Sequence, residues 1–158
     1  MEAAVTLQPA RERDAPAIAR MSGALIEHDL PQAWTASRVL AHIRRSESVV
    51  LVAKAEQQLV GFAIMQFADD SAHLNLLAVA RHARRRSIGR KLLEWLHESA
   101  VVAGTFQVRL ELRAGNEAAR RFYVSLGYQE CGYVRGYYSD VEDAVRMSCD
   151  LTVRLNTP

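Results

Sequence analysis

The consecutive residues Arg84-Arg85-Arg86-Ser87-Ile88-Gly89 combine side chains and backbone suited to holding phosphates. Arginines offer charge-assisted donors in a fixed fork geometry. The continuation Arg90-Lys91-Leu92-Leu93 enters an amphipathic pattern, so the turn opens a helix whose first N–H groups and dipole favour an anion. Just upstream, the apolar run Leu74 to Val79 reads as a strand. Strand, basic turn and helix start together point to a phosphorylated small molecule as the first ligand class. The spacing matches neither Gly-x-x-x-x-Gly-Lys-Ser/Thr nor Gly-x-Gly-x-x-Gly. Taken alone, the stretch also fits an Arg-rich solvated loop before a surface helix.

The elements around this turn follow from periodicity. Val5 to Gln8 reads as a first strand. Asp14, with Pro16 in the first turn, caps a helix to about Glu27 through Ile18, Met21, Leu25 and Ile26. Pro31 interrupts, and Thr35 caps a second helix through Val39, Leu40 and Ile43. Strands Val49 to Ala55 and Leu59 to Phe67 are joined by Glu56-Gln57-Gln58, a hairpin-length link. Asp69-Asp70-Ser71 turns into the strand that ends at Val79. Ile88, Leu92, Leu96 and Ala100 form one helical stripe, which Gly104 ends. Val108, Leu110 and Leu112 alternate with Arg109, Glu111 and Arg113, the period of a strand. Asn116 begins a helix with Ala119, Phe122, Tyr123 and Leu126 on its stripe, and Gly127 caps it. Two last strands, about Gln129 to Arg135 and Ala144 to Leu151, are joined by Tyr137-Tyr138-Ser139-Asp140. The order β-α-α-β-β-β-α-β-α-β-β makes one α+β domain over residues 1–158, without repeat or linker.

Composition narrows the partners. A hydrophobic share of 49% supports a real core, and a net charge of +2 gives no case for nucleic-acid binding. The five histidines and two cysteines show no metal spacing, and no metal is expected. Cys131 and Cys149 read as core thiols, and Trp34 as core packing. No signal pattern or membrane-length apolar run is present, so a cytoplasmic protein with no membrane partner is expected.

Three blocks resemble the acetyl-coenzyme A-dependent N-acetyltransferases of the GNAT fold, and within them the ribosomal-protein-alanine and other protein N-terminal acetyltransferases. The first block is Arg84 to Gly89, similar to Gln/Arg-x-x-Gly-x-Gly/Ala. The second is Leu110-Glu111-Leu112-Arg113-Ala114-Gly115-Asn116 with Phe122-Tyr123-Val124-Ser125-Leu126-Gly127-Tyr128. The third is Tyr137-Tyr138 followed by Glu142-Asp143-Ala144. The resemblance implies a mixed, mostly antiparallel sheet of about seven strands flanked by about four helices. It implies acetyl-coenzyme A as donor, with Arg84, Arg85, Arg86, Ser87, Ile88, Gly89 and Arg90 around the pyrophosphate. Leu77, Ala78 and Val79 would lie along the pantetheine arm, and Asn116 and Tyr123 would also touch the cofactor. Ser87 stands where the family has its first glycine. If that position is helical, the serine is harmless and can add a hydroxyl bond, which is the expected outcome; a positive φ there would cost affinity.

The implied reaction is acetyl transfer to an amine. An α-amine of pKa about 7.7–8.0 is partly neutral at pH 7, whereas lysine near 10.4 is not, a difference of roughly 3.5 kcal/mol. A protein N-terminus, such as that of a ribosomal protein, is therefore the easier acceptor; an internal lysine, a small amine, or a non-catalytic acyl-coenzyme A sensor are the alternatives. By resemblance, Glu111 is the general base through a water, and its pKa has to rise by burial for that task. On its strand it is also a charged residue between Arg109 and Arg113, and an arginine neighbour would lower it. Tyr123 is the general acid for the departing sulfur, or simply a packed aromatic. Asn116 serves equally as an N-cap. Backbone N–H groups at Leu77 to Val79 would meet the oxyanion. Tyr137 and Tyr138 would line the acceptor-peptide groove. A monomer or weak homodimer is expected.

Overall fold

The computed structural model of the chain describes residues 3–152. Its elements are β1 (Val5–Pro9), α1 (Ala15–Leu25), α2 (Ala36–Arg44), β2 (Ser48–Ala55), β3 (Gln58–Phe67), β4 (Ser71–Val79), α3 (Ile88–Val102), β5 (Gln107–Arg113), α4 (Glu117–Ser125), β6 (Gln129–Tyr138) and β7 (Glu142–Asp150). The seven strands hydrogen-bond in the order β1-β2-β3-β4-β5-β7-β6. β4 and β5 run parallel, while β1/β2, β2/β3, β5/β7 and β6/β7 are antiparallel. This is the mixed, mostly antiparallel sheet that the resemblance implies, built from the element order that the sequence periods predict. The chain forms two compact units, one of residues up to Gln66 with Asn75–Leu96, the other of Phe67–Leu74 with residues from His97 onward.

In the first unit, Ile18, Val39, Val50, Val52, Phe62, Ile64, Leu76 and Ala78 form one apolar cluster. Fully burying a side chain of Val, Leu or Phe size contributes about 1.5–3 kcal/mol, so α1 and α2 are held chiefly by this face. Gly61 serves the other side of β3. A Cβ there would stand 3.1 Å from the Ala78 carbonyl oxygen and 3.3 Å from Ile88 Cγ2, so its absence lets the first turn of α3 seat closely. The β2–β3 hairpin turns on Glu56 and Gln57, with φ of 51° and 71°, the left-handed pair of a type I′ turn made without Asn-Gly. Thr35 caps α2 by accepting from the Arg38 N–H at 3.3 Å. Asp14 makes no side-chain cap to α1. Its carboxylate instead accepts from the Arg11 N–H at 2.8 Å and pairs with Lys54 Nζ at 2.8 Å, a stronger demand on a buried charge than a helix end makes.

In the second unit, Val108, Leu110 and Leu112 bury one face of β5 and leave Arg109, Glu111 and Arg113 on the other. Strand register places Glu111 opposite Arg146 on β7. His97 and Tyr128 are buried together, with Nε2 and the hydroxyl 2.7 Å apart. Two readings of this region need correction. Tyr137 and Tyr138 end β6 instead of forming the loop, and the turn itself is Ser139-Asp140-Val141, with φ of 56° and 59° at its first two residues. Cys131 is exposed, because β6 is the edge strand of the sheet, whereas Cys149 is buried as expected.

Candidate active site

The basic turn lies in the first unit, after a 3-10 turn at Arg81–Ala83. Arg85 and Ser87 have φ of 66° and 60°. Left-handed angles at alternate residues turn successive N–H groups to one concave side, which is an anion-binding backbone shape. The helix begins at once, since the Lys91 N–H donates to the Ser87 carbonyl at 3.0 Å. The N–H groups ahead of it have no partner within the helix and are available to an anion. Ser87 therefore occupies the conformation that favours glycine, contrary to the helical angles expected of it; the alternating turn requires a positive φ there.

The arginines of this turn do not act as one cationic patch. Arg84 Nε donates to the Val79 carbonyl at 3.3 Å, which ties the end of β4 to the turn. Arg86 Nη2 donates to the Ala3 carbonyl. Arg90 lies 4.0 Å from Glu94 on the helix surface. Arg85 is exposed. The backbone is thus the organised part of the cradle, with Ile88 buried beneath it.

Glu111 lies in the second unit, its side chain 10% exposed. His73 Nε2 stands 2.5 Å from Glu111 Oε2, and Arg146 Nε donates to Oε1 at 3.2 Å. Burial pushes the Glu111 carboxyl up, but His73 and Arg146 together hold it below the usual carboxylate range. The expected rise does not occur. The arginine responsible is not a neighbour along β5 but Arg146, across the strand pair. His73 and Arg146 were not singled out from sequence; alternation puts each on a face, and only the register of β4, β5 and β7 puts them on this carboxylate.

Tyr123 is 8% exposed, packed edge-on to Phe122 and Tyr128. Burial and the nearby Tyr138 push its hydroxyl up, so it keeps its proton across the neutral range. Tyr138 is likewise raised, first by burial, then by Tyr137 and Glu111. Glu111, Tyr138 and Tyr123 therefore lie within electrostatic reach of one another in turn. The Arg113 guanidinium sits 5.9 Å from the Tyr138 ring centroid and bonds Glu142 at 2.9 Å. Asp143 accepts from the Gly136 N–H at 2.8 Å and from the Tyr133 hydroxyl, fixing the end of β6. Asn116 caps α4 by accepting from the Ala119 N–H at 3.1 Å. Trp34 is buried, as expected, with Arg38 stacked 3.9 Å from its centroid. Among the described residues, no group of three or more His, Cys, Asp or Glu could hold a metal, and no helix is long and apolar enough to cross a membrane.

The first unit thus offers a turn of anion-binding backbone shape, and the second a carboxylate held firmly by a histidine and an arginine. A family model described as an acetyltransferase (GNAT) domain matches residues 46–130. Ribosomal protein bS18-alanine N-acetyltransferase of Salmonella typhimurium is 33% identical over 138 residues, covering 79% of this chain and 93% of that protein. The crystal structure of the ribosomal-protein-S18-alanine N-acetyltransferase from Escherichia coli has a TM-score of 0.80 at 29% identity, covering 93% of this chain and 94% of that one. Ard1 from Thermoplasma volcanium has a TM-score of 0.82 at 25% identity, covering 93% and 97%. The chain belongs to the GNAT acetyltransferase family, and it is an acyltransferase.

Proposed function

We propose that this enzyme moves an acetyl group from acetyl-coenzyme A to the N-terminal α-amine of a protein, with a ribosomal protein as the first acceptor to consider. The observation that carries the reading is the His73–Glu111–Arg146 arrangement, a largely buried carboxylate held ready on a strand face. Names of relatives that modify ribosomal-protein alanine support the choice of acceptor. When bound, the cofactor supplies the acetyl group and a thiol that leaves. Residues Arg84 to Arg90 hold its diphosphate, chiefly through backbone N–H groups, and the alternating φ at Arg85 and Ser87 suits two linked phosphates. Backbone N–H groups of Leu77, Ala78 and Val79 stabilise the carbonyl oxygen, and Asn116 adds a contact to the cofactor.

The acceptor must lose a proton before it attacks. Glu111, ionised throughout the neutral range, accepts that proton through a water. A depressed carboxylate is a weak base, and what His73 and Arg146 supply is its position, at 2.5 and 3.2 Å from its two oxygens. Tyr123 retains its proton and returns one to the departing sulfur. Tyr137 and Tyr138 line the acceptor groove.

Thiol release from acetyl-coenzyme A tests the reading, with short peptides bearing free Ala, Ser or Met N-termini set against N-blocked lysine peptides and a polyamine. Turnover confined to free N-termini is the expected result. Turnover on lysine or polyamine moves the acceptor class, and saturable cofactor binding without turnover on any acceptor replaces catalysis with sensing.

A further inference from the structure

Strand β4 alternates strictly. Ala72, Leu74, Leu76 and Ala78 are buried, while His73, Asn75, Leu77 and Val79 keep partial exposure on the opposite face. Leu76 and Ala78 belong to the α1–α2 cluster, so Asn75 is turned away from it. Among the described residues, Asn75 Oδ1 is the one buried side-chain nitrogen or oxygen without a hydrogen-bond partner. Buried polar groups in folded proteins are almost always paired, and an orphaned acceptor costs the folded state. A leucine would fill the same position without that cost. The oxygen is shielded although the residue is partly exposed, which suits a group on a binding wall better than one sealed in a core.

Asn75 is also next after His73 in the same row of side chains, and His73 carries the bond to Glu111. We propose that Asn75 Oδ1 accepts a hydrogen bond from the first peptide N–H of the acceptor, the one next to its α-amine. Asn75 then selects a peptide N-terminus over a lysine side chain, which presents an amine with no peptide N–H beside it. This inference rests on the acetyl-transfer reading. The bond forms only with acceptor bound, so the unliganded enzyme carries the cost.

Asn75→Leu and Asn75→Asp, measured beside the wild type for thermal midpoint, acceptor KM, kcat and coenzyme A Kd, provide the test. Removing the orphaned oxygen with leucine is expected to raise the midpoint of the unliganded enzyme by roughly 2–4 °C. The same change raises the KM for a free-N-terminus peptide roughly tenfold or more and leaves the coenzyme A Kd within about twofold. Asn75→Asp keeps an acceptor oxygen and keeps the KM within about threefold of wild type. A lower midpoint for Asn75→Leu overturns the proposal, because the oxygen then has an internal partner such as an ordered water. An unchanged KM, or a loss in coenzyme A affinity instead, overturns it too. If the wild type turns over no acceptor, the acetyl-transfer reading itself fails. Peptide affinity by calorimetry then decides Asn75 on the same tenfold criterion.

Discussion

In the basic turn, local geometry is assembled from neighbouring residues: left-handed angles at Arg85 and Ser87, then the start of α3. Around Glu111 it is assembled from side chains remote in sequence, with His73 from β4, Arg146 from β7 and Tyr138 from β6. A backbone cradle depends on φ more than on side-chain identity. A carboxylate held by two partners depends on every side chain involved. Substitutions in the two regions therefore differ in kind as well as in size.

The largest effect belongs to the side-chain cluster. Glu111→Gln is expected to lower kcat by roughly 10²–10⁴-fold with coenzyme A affinity nearly unchanged, as loss of a general base does. Equal loss of cofactor binding would make Glu111 structural and remove the contrast. The fold also holds this carboxyl below its ordinary range, so its contribution to stability is present above an unfolded pKa of about 4.3 and is lost as pH falls through the folded value. The difference in thermal midpoint between wild type and Glu111→Gln should accordingly shrink as the buffer is taken below about pH 4.

Arginine substitutions should be milder and should separate from each other. Arg85→Ala is expected to weaken coenzyme A binding about three- to tenfold, and less at high salt, since an exposed charge is screened. Arg86→Ala should instead lower stability by about 1 kcal/mol, because its guanidinium bonds the Ala3 carbonyl. If Arg85→Ala leaves the cofactor dissociation constant unmoved at low salt, the cradle is backbone alone.

The smallest effect tests the backbone directly. A non-glycine residue in the left-handed region carries about 1–2 kcal/mol, and glycine returns roughly 0.5–1 of this as chain entropy. Ser87→Gly should therefore stabilise the enzyme by about 0.5–1 kcal/mol, read as a rise in thermal midpoint, with cofactor affinity kept or improved. A drop in both would show that the serine hydroxyl, and not only its N–H, is needed.

Local rules were enough for much of this molecule. Periods of two and of 3.6 residues, Thr35 and the tight turns placed every helix and strand within a few residues, since each depends on near neighbours. The basic turn into α3 was legible for the same reason, and Glu111 and Tyr123 stood out as candidates through their resemblance to family motifs. What these rules could not supply was register. The same alternation that puts His73, Asn75 and Arg146 on strand faces is silent on which strand lies beside which. That pairing set Arg146 and His73 on Glu111 and reversed its expected titration. It also placed β6 at the sheet edge and so exposed Cys131. The left-handed angle at Ser87 belongs with these, because a serine's own preference is helical or extended and only the turn around it imposes the other choice.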